Sequence, residues 1–338
     1  MDPGFTDTVL RWYALNGRDL PWRHTRDPYP VWLSEIILQQ TRVAQGRAYW
    51  ERFLDRFPTI ESLAAASEDE VMRLWQGLGY YSRARNLHQA ARQVAARGAF
   101  PDTLEGIRAL KGVGDYTAAA IGSFCFGLPA AVVDGNVYRV LARYYGIVTP
   151  VGSTAAKKEF TALAQSLLPE DAATFNQAMM DFGALQCTSA APACDSCPLQ
   201  PRCHAFQTGR TGLLPVRKPA AAIQERHFSY VYLRFKGQTP IRRRGPGDIW
   251  QGLWEPLCWE DAAPEGLPSC LLLKKDVKHQ LTHRTIRANF YLAQPSEKPA
   301  LPAGYRWIPE SQLDNFGKPR LFEQLLEAVR QYNPHHED

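Results

Sequence analysis

Apolar residues recur at three- and four-residue spacing through the first two hundred positions of the chain. Leu33, Ile36 and Ile37 illustrate this spacing. It places apolar side chains on one face of a helix. Glycines and prolines punctuate the apolar segments, as they do at turns between helices. We therefore predict that residues 6–205 are almost entirely helical.

The pattern changes near residue 210. Residues 209–222 hold glycine, proline, lysine and arginine with little periodicity, which predicts a linker. Residues 228–235 and 287–293 alternate apolar and polar side chains as strands do, and residues 318–332 return to helical spacing. The sequence predicts a helical first domain and a mixed α and β second domain.

Composition narrows the class of protein. A chain of 338 residues is long for one core, and a net charge of +5 is compatible with a polyanionic partner without requiring one. No apolar run is long enough to cross a membrane, and the acidic N-terminus lacks a basic and apolar signal segment. We expect an intracellular, cytoplasmic protein that is not secreted, in which clustered cysteines indicate a metal site.

Four of the seven cysteines form such a cluster. Their spacing is C-x6-C-x2-C-x5-C, and they are Cys187, Cys194, Cys197 and Cys203. Four thiolates can bind zinc tetrahedrally, but zinc sites usually pair two short knuckles across a longer loop. One short pair with two outlying ligands favours an iron–sulfur cube over zinc, and the spacing leaves both open.

A glycine-rich turn separates two helical stretches at residues 110–121. Lys111, Gly112, Val113 and Gly114 form the turn. Consecutive backbone N–H groups and the positive end of the following helix can bind a phosphate group, and this binding does not depend on the sequence of a nucleic acid. The alternative is an ordinary helix corner with a glycine cap.

Two carboxylates are candidates for acid–base chemistry. Glu35 lies on a polar helix stripe with Gln39 and Arg42, so a solvated face is one interpretation; desolvation beside Ile36 and Ile37 would instead keep it protonated. Asp134 precedes a helix, where it can be a simple N-cap, and there the helix dipole favours its ionised form.

One acid and one anion suit the cleavage of an N-glycosidic bond. A purine base leaves readily only after a ring nitrogen is protonated, and its departure puts positive charge on the sugar. The logic parallels glycoside hydrolysis by two carboxylates.

Several strings together resemble one family. They are residues 20–23, 32–43, 77–83 and 133–137, the glycine turn and the four cysteines. Over residues 20–205 the chain is similar to the helix-hairpin-helix glycosylases that carry an iron–sulfur cluster, and in particular to the MutY-type adenine DNA glycosylases. The resemblance implies a [4Fe–4S] cofactor on the four cysteines. It also implies a double-stranded DNA substrate with adenine opposite 8-oxoguanine or guanine.

The resemblance assigns expected roles residue by residue. Glu35 is similar to the general acid, and Asp134 to the carboxylate that stabilises the oxocarbenium ion. Asn136 and Tyr116 resemble residues that orient and pack against them. The expected adenine pocket consists of Trp22, Arg23, Leu38 and Gln177. The expected DNA contacts are Gln40, Thr41, Arg42, Tyr80, Lys111, Gly112, Val113 and Gly114. For Tyr80 and the adjacent Tyr81, core packing is the alternative.

Position 116 separates two subfamilies. The lyase relatives of the endonuclease III type carry a lysine there, which forms a Schiff base with the sugar. Tyr116 cannot do so, so we expect a monofunctional glycosylase, with Lys111 as a source of at most a weak lyase side reaction. The bifunctional pyrimidine glycosylase-lyase remains the main alternative, beside a DNA-binding protein without catalysis and a Nudix-type nucleotide hydrolase.

The second domain resembles the Nudix-like, lesion-recognising domain of the same family. The acidic Nudix signature is missing, and the family's Phe-Ser-His loop is replaced by Leu281, Thr282 and His283. A surface-loop histidine is the alternative for His283. The arginine run at 242–244 is interpreted as a solvated turn, with phosphate contact as the second option.

The resulting fold class is a mainly α helix-hairpin-helix domain followed by an α+β Nudix-like domain. Residues 1–209 form the first domain, with a six-helix barrel module over about 25–130 and an iron–sulfur module over 1–24 plus 131–209. A linker covers 210–224, and the Nudix-like domain covers 225–334. We expect a monomer with no membrane partner.

Overall fold

The computed structural model describes residues 3–218, 223–267 and 269–332. The chain divides into two compact units. The first unit comprises Met1–Ala64 and Gln89–Pro219, and the second comprises Ala65–His88 and Ala220–Asp338. In the described part of the chain, no helix has the length and apolar character that crossing a membrane requires.

Helices dominate the chain up to residue 207. In chain order the helices are α1 (Pro3–Asn16), α2 (Pro28–Ile37), α3 (Val43–Arg56), α4 (Ile60–Ala65), α5 (Glu68–Leu74), α6 (Ser82–Arg97), α7 (Leu104–Arg108), α8 (Asp115–Phe126), α9 (Gly135–Tyr145), α10 (Thr154–Ser166), α11 (Ala172–Asp181), α12 (His204–Gln207) and α13 (Arg320–Tyr332). Short 3-10 turns occupy Pro21–Arg23, Gln200–Arg202 and Glu310–Asn315, and a π-helical segment occupies Phe182–Gln186. The predicted helical first domain is confirmed.

Local sequence explains where the two helices that carry the carboxylates begin. Asp27 caps α2 by accepting a hydrogen bond from the Tyr29 amide at 3.0 Å, and Pro28 occupies the first helical position. Proline suits that position because its missing N–H would have no partner there. Asp134 caps α9, which ends at Gly146 with a positive φ of 72°.

One apolar core of the first unit lies among α1, α9, α10 and α11. Phe5, Val140, Phe160 and Phe175 are all at most 2% exposed there. Their burial removes large apolar areas from water, which is the main force that holds these helices together. This core carries the N-terminus of α9 and the C-terminal turn of α11.

A glycine turn joins α7 to α8. Gly112 has φ of +77°, a conformation that glycine adopts without steric cost, and Gly114 occupies the N-cap position of α8. The predicted pair of helical stretches around this turn is confirmed.

Two sheets and the C-terminal helix α13 build the part of the second unit that follows residue 223. The strands are β1 (Gln224–Leu233), β2 (Gln238–Arg243), β3 (Trp254–Glu255), β4 (Leu257–Glu260), β5 (Leu271–Gln280), β6 (Arg284–Ala293) and β7 (Arg306–Pro309). One sheet has the order β4-β1-β6-β5, and the other has the order β3-β2-β7. Strands β1 and β6 are parallel, whereas the other pairs are antiparallel. Apolar side chains of β1, β6 and α13 form the core.

The predicted α+β fold of the second domain is confirmed, including both expected strands and the C-terminal helix. The two units also show a grouping that the sequence did not indicate. Residues 65–88, which include α5, belong to the second unit. The predicted linker falls partly on residues 219–222, which lie outside the described residues. The domain boundaries remain a prediction.

Candidate active site

A cavity of about 560 Å³ in the first unit brings together most of the residues that the sequence singles out. Its walls include both candidate carboxylates, Glu35 and Asp134. The predicted residues that also line it are Trp22, Arg23, Leu38, Gln40, Thr41, Tyr116, Asn136 and Gln177. The two carboxylates therefore face the same space although 99 positions separate them in the chain.

Glu35 lies on α2 and is only 6% exposed. The interpretation of this residue as part of a solvated helix face is therefore wrong. Burial raises the pKa of Glu35 from 4.5 to about 7, the hydrogen bond from Tyr116 lowers it in part, and the charge of Asp134 raises it further. A carboxyl group with such a pKa can hold a proton near neutral pH, which a general acid must do.

The hydroxyl of Tyr116 donates to Oε2 of Glu35 at 2.7 Å. Burial and the nearby Glu35 raise the pKa of Tyr116 well above its ordinary value, so the hydroxyl stays protonated and remains a donor. A proton on Glu35 then resides on Oε1, the oxygen that Tyr116 does not contact. Tyr116 thus orients the carboxyl group.

Asp134 is surrounded by hydrogen-bond donors. Its Oδ1 accepts from the backbone amides of Asn136 and Val137 at 2.8 Å each, and its Oδ2 accepts from the Asn136 side chain at 2.7 Å. The sequence predicts that the helix N-terminus favours the ionised form. Burial instead raises the pKa of Asp134, while these hydrogen bonds and Arg139 lower it only in part. In all three hydrogen bonds Asp134 is the acceptor, and an ionised carboxylate, which can only accept, suits this position.

Arg139 connects Asn136 to the segment that precedes the cysteine cluster. Its guanidinium donates to Asn136 Oδ1 at 2.8 Å, to the Gly183 carbonyl at 2.5 Å and to the Cys187 carbonyl at 2.6 Å. Gly183 lies in the π-helical segment, where an added Cβ would come within 2.6 Å of the Asn136 Cβ. Only glycine permits this close approach, so residue 183 helps to set the position of Asn136.

The predicted base pocket forms one wall of the cavity. Trp22 is buried and packs edge-on against Trp50, with ring centroids 5.6 Å apart. Arg23 lines the cavity, but both of its terminal nitrogens donate to Asp181, at 2.8 and 2.9 Å. Asp181 is not among the site residues predicted from the sequence. Its signal is a lone acidic residue within the apolar segment 178–185.

The glycine turn presents exposed backbone. Lys111, Gly112 and Gly114 are exposed, whereas Val113 is buried and anchors the turn. The Lys111 amide donates to the side chain of Gln93 at 2.8 Å. Because that amide has an internal partner, the glycine amides and the N-terminus of α8 are the groups suited to hold a phosphate.

Gln40 and Tyr80, the two residues expected to enter the base stack, share an unusual backbone conformation. Their φ angles are +57° and +45°, and both side chains are exposed. A positive φ in a non-glycine residue is strained and occurs preferentially at functional sites. Tyr81 is buried, so core packing accounts for it, whereas Tyr80 is 42% exposed.

A second cavity, of about 580 Å³, lies within the second unit. Tyr80, Trp250 and the loop residues Leu281, Thr282 and His283 line it. The hydroxyls of Tyr80 and Thr282 are hydrogen bonded to each other. Trp250 has φ of +58° and lies 5.9 Å from the His279 ring, measured between centroids. Aromatic side chains therefore border the loop that lacks the family's phenylalanine.

All four clustered cysteines line a third, small cavity in the first unit. Arg143 is 3% exposed and donates to Cys187 Sγ at 3.3 Å and to the Thr188 carbonyl at 2.7 Å. A buried cation against the thiols favours a group of negative charge in this cavity. Within residues 3–218, 223–267 and 269–332, no three histidine, cysteine or acidic side chains meet closely enough for a single metal ion.

The arginine run at 242–244 is not a solvated turn, and that interpretation is wrong. Arg242 donates to Glu255 Oε1 at 2.6 Å, and Arg244 also binds Glu255, which is fully buried. Arg243 forms an ion pair with Glu68 at 3.0 Å. These arginines hold the second unit together, which the sequence pattern alone could not indicate.

The fold and the first cavity define a helix-hairpin-helix glycosylase of base excision repair with an appended Nudix-like domain. Residues 33–170 match the HhH-GPD superfamily base excision DNA repair protein family, and residues 229–328 match the NUDIX domain family. The structure of a thermostable thymine-DNA glycosylase superposes with a TM-score of 0.56 at 31% identity, over 61% of this chain and 96% of that one. A non-covalent endonuclease III–DNA complex gives 0.53 at 22% identity, over 61% and 95%, which shows the shared fold alone.

Curated relatives specify the family further. The adenine DNA glycosylase of Buchnera aphidicola from Acyrthosiphon pisum is 36% identical over 96% of this chain and 97% of its own length. That from Baizongia pistaciae is 31% identical over 98% and 99%. The human adenine DNA glycosylase is 44% identical over 60% of this chain and 39% of its own length. The chain belongs to the adenine DNA glycosylase family, and the alternative of an endonuclease III type is not supported.

Replacement of Tyr116 by phenylalanine is expected to raise the pKa of Glu35 further. The Tyr116 hydrogen bond stabilises the ionised carboxylate, so its loss favours the protonated form. A hydrogen bond to a charged group is worth roughly 1.5–3 kcal/mol, which corresponds to an increase of about one pKa unit or more. Carbon-13 NMR titration of labelled glutamate carboxyls measures the change, with Glu35→Gln identifying the resonance.

Tyr29→Phe is the matched control for this titration. This substitution also removes a buried hydrogen bond, which the Tyr29 hydroxyl donates to the Phe57 carbonyl at 2.7 Å, but Tyr29 does not line the cavity. An unchanged or lowered Glu35 pKa in Tyr116→Phe would show that the tyrosine does not govern the protonation of Glu35.

Proposed function

We propose that this protein hydrolyses the bond between adenine and deoxyribose in double-stranded DNA, as a monofunctional glycosylase. The observation that carries the proposal is the shared cavity of Glu35 and Asp134. A base in duplex DNA is inaccessible to such a cavity, so the adenine must be extruded from the stack to enter it. The membership of the chain in the adenine DNA glycosylase family supports this base over others.

In the proposed mechanism, Glu35 donates its Oε1 proton to a ring nitrogen of adenine. The electrons of the glycosidic bond pass to the protonated base as the bond between C1′ and N9 breaks. Positive charge develops on the sugar, and the Asp134 carboxylate stabilises it or bonds to it briefly. Glu35, now ionised, accepts a proton from the water that adds to C1′. Asn136 holds Asp134 in place through its side-chain amide.

The remaining expected contacts support DNA as the partner. The exposed amides of the glycine turn suit a backbone phosphate, and the strained, exposed Gln40 and Tyr80 suit insertion beside the extruded base. No residue suited to Schiff-base formation occupies position 116, which supports hydrolysis without strand cleavage.

We infer further that the base opposite the adenine is 8-oxoguanine or guanine, and that the second cavity recognises it. Thr282 offers a hydroxyl at the edge of that cavity, oriented by its hydrogen bond with Tyr80. The aromatic rings of Tyr80 and Trp250 can supply the stacking surface that Leu281 does not.

The four cysteines are proposed to hold a [4Fe–4S] cluster. Cys187, Cys194, Cys197 and Cys203 would ligate the irons, and Arg143 would offset the negative charge of the thiolates and the cluster. When bound, the cluster supplies a rigid cross-link rather than a step in hydrolysis. Arg139 then transmits the fixed position of the Cys187 carbonyl to Asn136.

Single-turnover release of adenine from a duplex with adenine opposite 8-oxoguanine tests the function. Glu35→Gln is expected to slow release by roughly 10²- to 10⁴-fold, because general acid catalysis is lost. Glu159→Gln, an exposed residue outside the cavity, is expected to leave the rate unchanged. Full activity of Glu35→Gln, or strand cleavage by the native protein at the rate of base release, would refute the mechanism.

Thr282→Val is expected to lower the preference for 8-oxoguanine over guanine opposite the adenine. The change keeps the shape of the side chain and removes one hydroxyl, which is worth roughly a factor of ten. The ratio of release rates on the two duplexes is the measurement. Thr239→Val is the control, since this buried hydroxyl has no hydrogen-bond partner within the described residues. Equal ratios in the native protein and Thr282→Val would contradict the assignment of this loop.

Iron and acid-labile sulfide contents of the purified protein test the cluster. Four of each per chain are expected, and Cys197→Ala is expected to lose both together with thermal stability. Cys125→Ala, at a cysteine outside the third cavity, should retain them. Stoichiometric zinc without sulfide in protein purified anaerobically would contradict the proposal.

A further inference from the structure

A fully buried carboxylate beside the base pocket has no part in the proposed hydrolysis. Asp181, at the end of α11, has a side chain that is 0% exposed and lies between two arginines. Arg23 binds both of its oxygens, and Arg18 donates to it through both Nε and the backbone amide at 2.8 Å. Burial raises the pKa of Asp181, but the hydrogen bonds from Arg23 and Arg18 outweigh it and hold the pKa below its ordinary value. The carboxylate is therefore a fixed anchor for Arg23.

Arg23 in turn constrains the direction of the Tyr13 hydroxyl. Nη1 of Arg23 donates to Asp181 at 2.8 Å and to the Arg18 carbonyl at 3.1 Å, and it shares a hydrogen with the Tyr13 hydroxyl oxygen at 3.3 Å. A guanidinium can only donate, so the tyrosine oxygen is the acceptor in this contact. The proton of Tyr13 is then free to point elsewhere, and Gln177 Oε1 lies 3.0 Å away.

The amide of Gln177 has two chemically different ends, and Tyr13 distinguishes them. The end that accepts the tyrosine proton must be the carbonyl oxygen, because an amide NH₂ group cannot accept. The donor next to the amide thus assigns its orientation. The Nε2 group is left without a partner in the described residues, and Gln177 lines the cavity that holds Glu35 and Asp134.

We propose that Tyr13, held by Arg23 and Asp181, fixes Gln177 so that its NH₂ group faces the bound base, and that this orientation selects 6-aminopurines over 6-oxopurines. The inference rests on the proposed function and deepens it. Tyr13, Arg23 and Asp181 act as positioning residues, and Gln177 makes the contact with the base.

The selectivity follows from the purine ring. Of the purine ring nitrogens, N1 is the one whose hydrogen-bonding character differs between adenine and hypoxanthine. The proposal therefore places N1 opposite Gln177 and leaves N7 of the five-membered ring to Glu35. In adenine N1 is an acceptor and can receive the Gln177 proton. In hypoxanthine N1 carries a hydrogen, so two donors would face each other and both would stay unsatisfied in a buried site.

Tyr13→Phe tests the proposal because it releases the amide without emptying the space. Gln177 can then turn and present its oxygen to N1–H of hypoxanthine. Single-turnover release of adenine and of hypoxanthine is measured from otherwise identical duplexes with 8-oxoguanine opposite. The native protein is expected to prefer adenine, and Tyr13→Phe to reduce the adenine-to-hypoxanthine rate ratio by roughly tenfold. Asp181→Asn is expected to change the ratio in the same direction, because Arg23 loses its anchor.

Tyr29→Phe is the matched control, since it removes a buried tyrosine hydroxyl of the same unit away from the cavity. It should leave the ratio unchanged, and melting temperatures confirm that each variant is folded. If Tyr13→Phe slows both bases equally, or if the native protein does not distinguish them, the inference is overturned while the proposed function stands. If the native protein releases no adenine, the proposed function itself fails.

Discussion

Burial of one carboxyl group next to a second one is the constraint on which the rest of the first unit depends. Glu35 is desolvated and faces the charge of Asp134, and both effects raise its pKa to about 7. Asp134 is also buried, but backbone and side-chain donors converge on it. The two environments differ although the residue types are alike: Glu35 accepts one hydrogen bond, from Tyr116, whereas three donors converge on Asp134. Such an arrangement costs folding free energy, which the surrounding core must supply.

The structure offsets that cost through rigid supports on both sides of the cavity. Tyr116 orients Glu35 from α8, and Arg139 ties Asn136 to the backbone at Gly183 and Cys187. The π-helical segment that contains Gly183 follows directly after Asp181. Segments of this kind interrupt helices preferentially at functional sites. Here the segment lets one short stretch of chain serve the base pocket, the Asp134 cap and the cysteine cavity.

Buried carboxylates of the second unit are bound by arginines, as Asp181 is in the first unit. Glu255 is fully buried because Arg242 and Arg244 bind it, and Asp248 is held by Arg226 and Arg244. The hydrogen bonds from Arg226 are the largest cause that holds the pKa of the Asp248 carboxyl far below its ordinary value. These pairs fix the loop that carries Trp250 at the edge of the second cavity. Removing one partner would leave a buried charge uncompensated, which is strongly destabilising.

The sequence by itself determined the helical first domain, the strands at β1 and β6, the glycine turn and the cysteine cluster. Periodicity, glycine conformation and ligand spacing are local properties, and a local pattern records them. It also pointed to Glu35 and Asp134 through recognisable strings, and the structure places both in one cavity.

Only the tertiary structure decided the raised pKa of Glu35, the ion pairs of the arginine run at 242–244 and the hydrogen bonds around Asp181. The polar stripe of Glu35, Gln39 and Arg42 is compatible with exposure to solvent until α8 packs against α2. Asp181 meets Arg18 and Arg23 across more than 150 positions of chain. Desolvation and hydrogen-bond direction depend on neighbours that are distant in sequence, and no local pattern contains them.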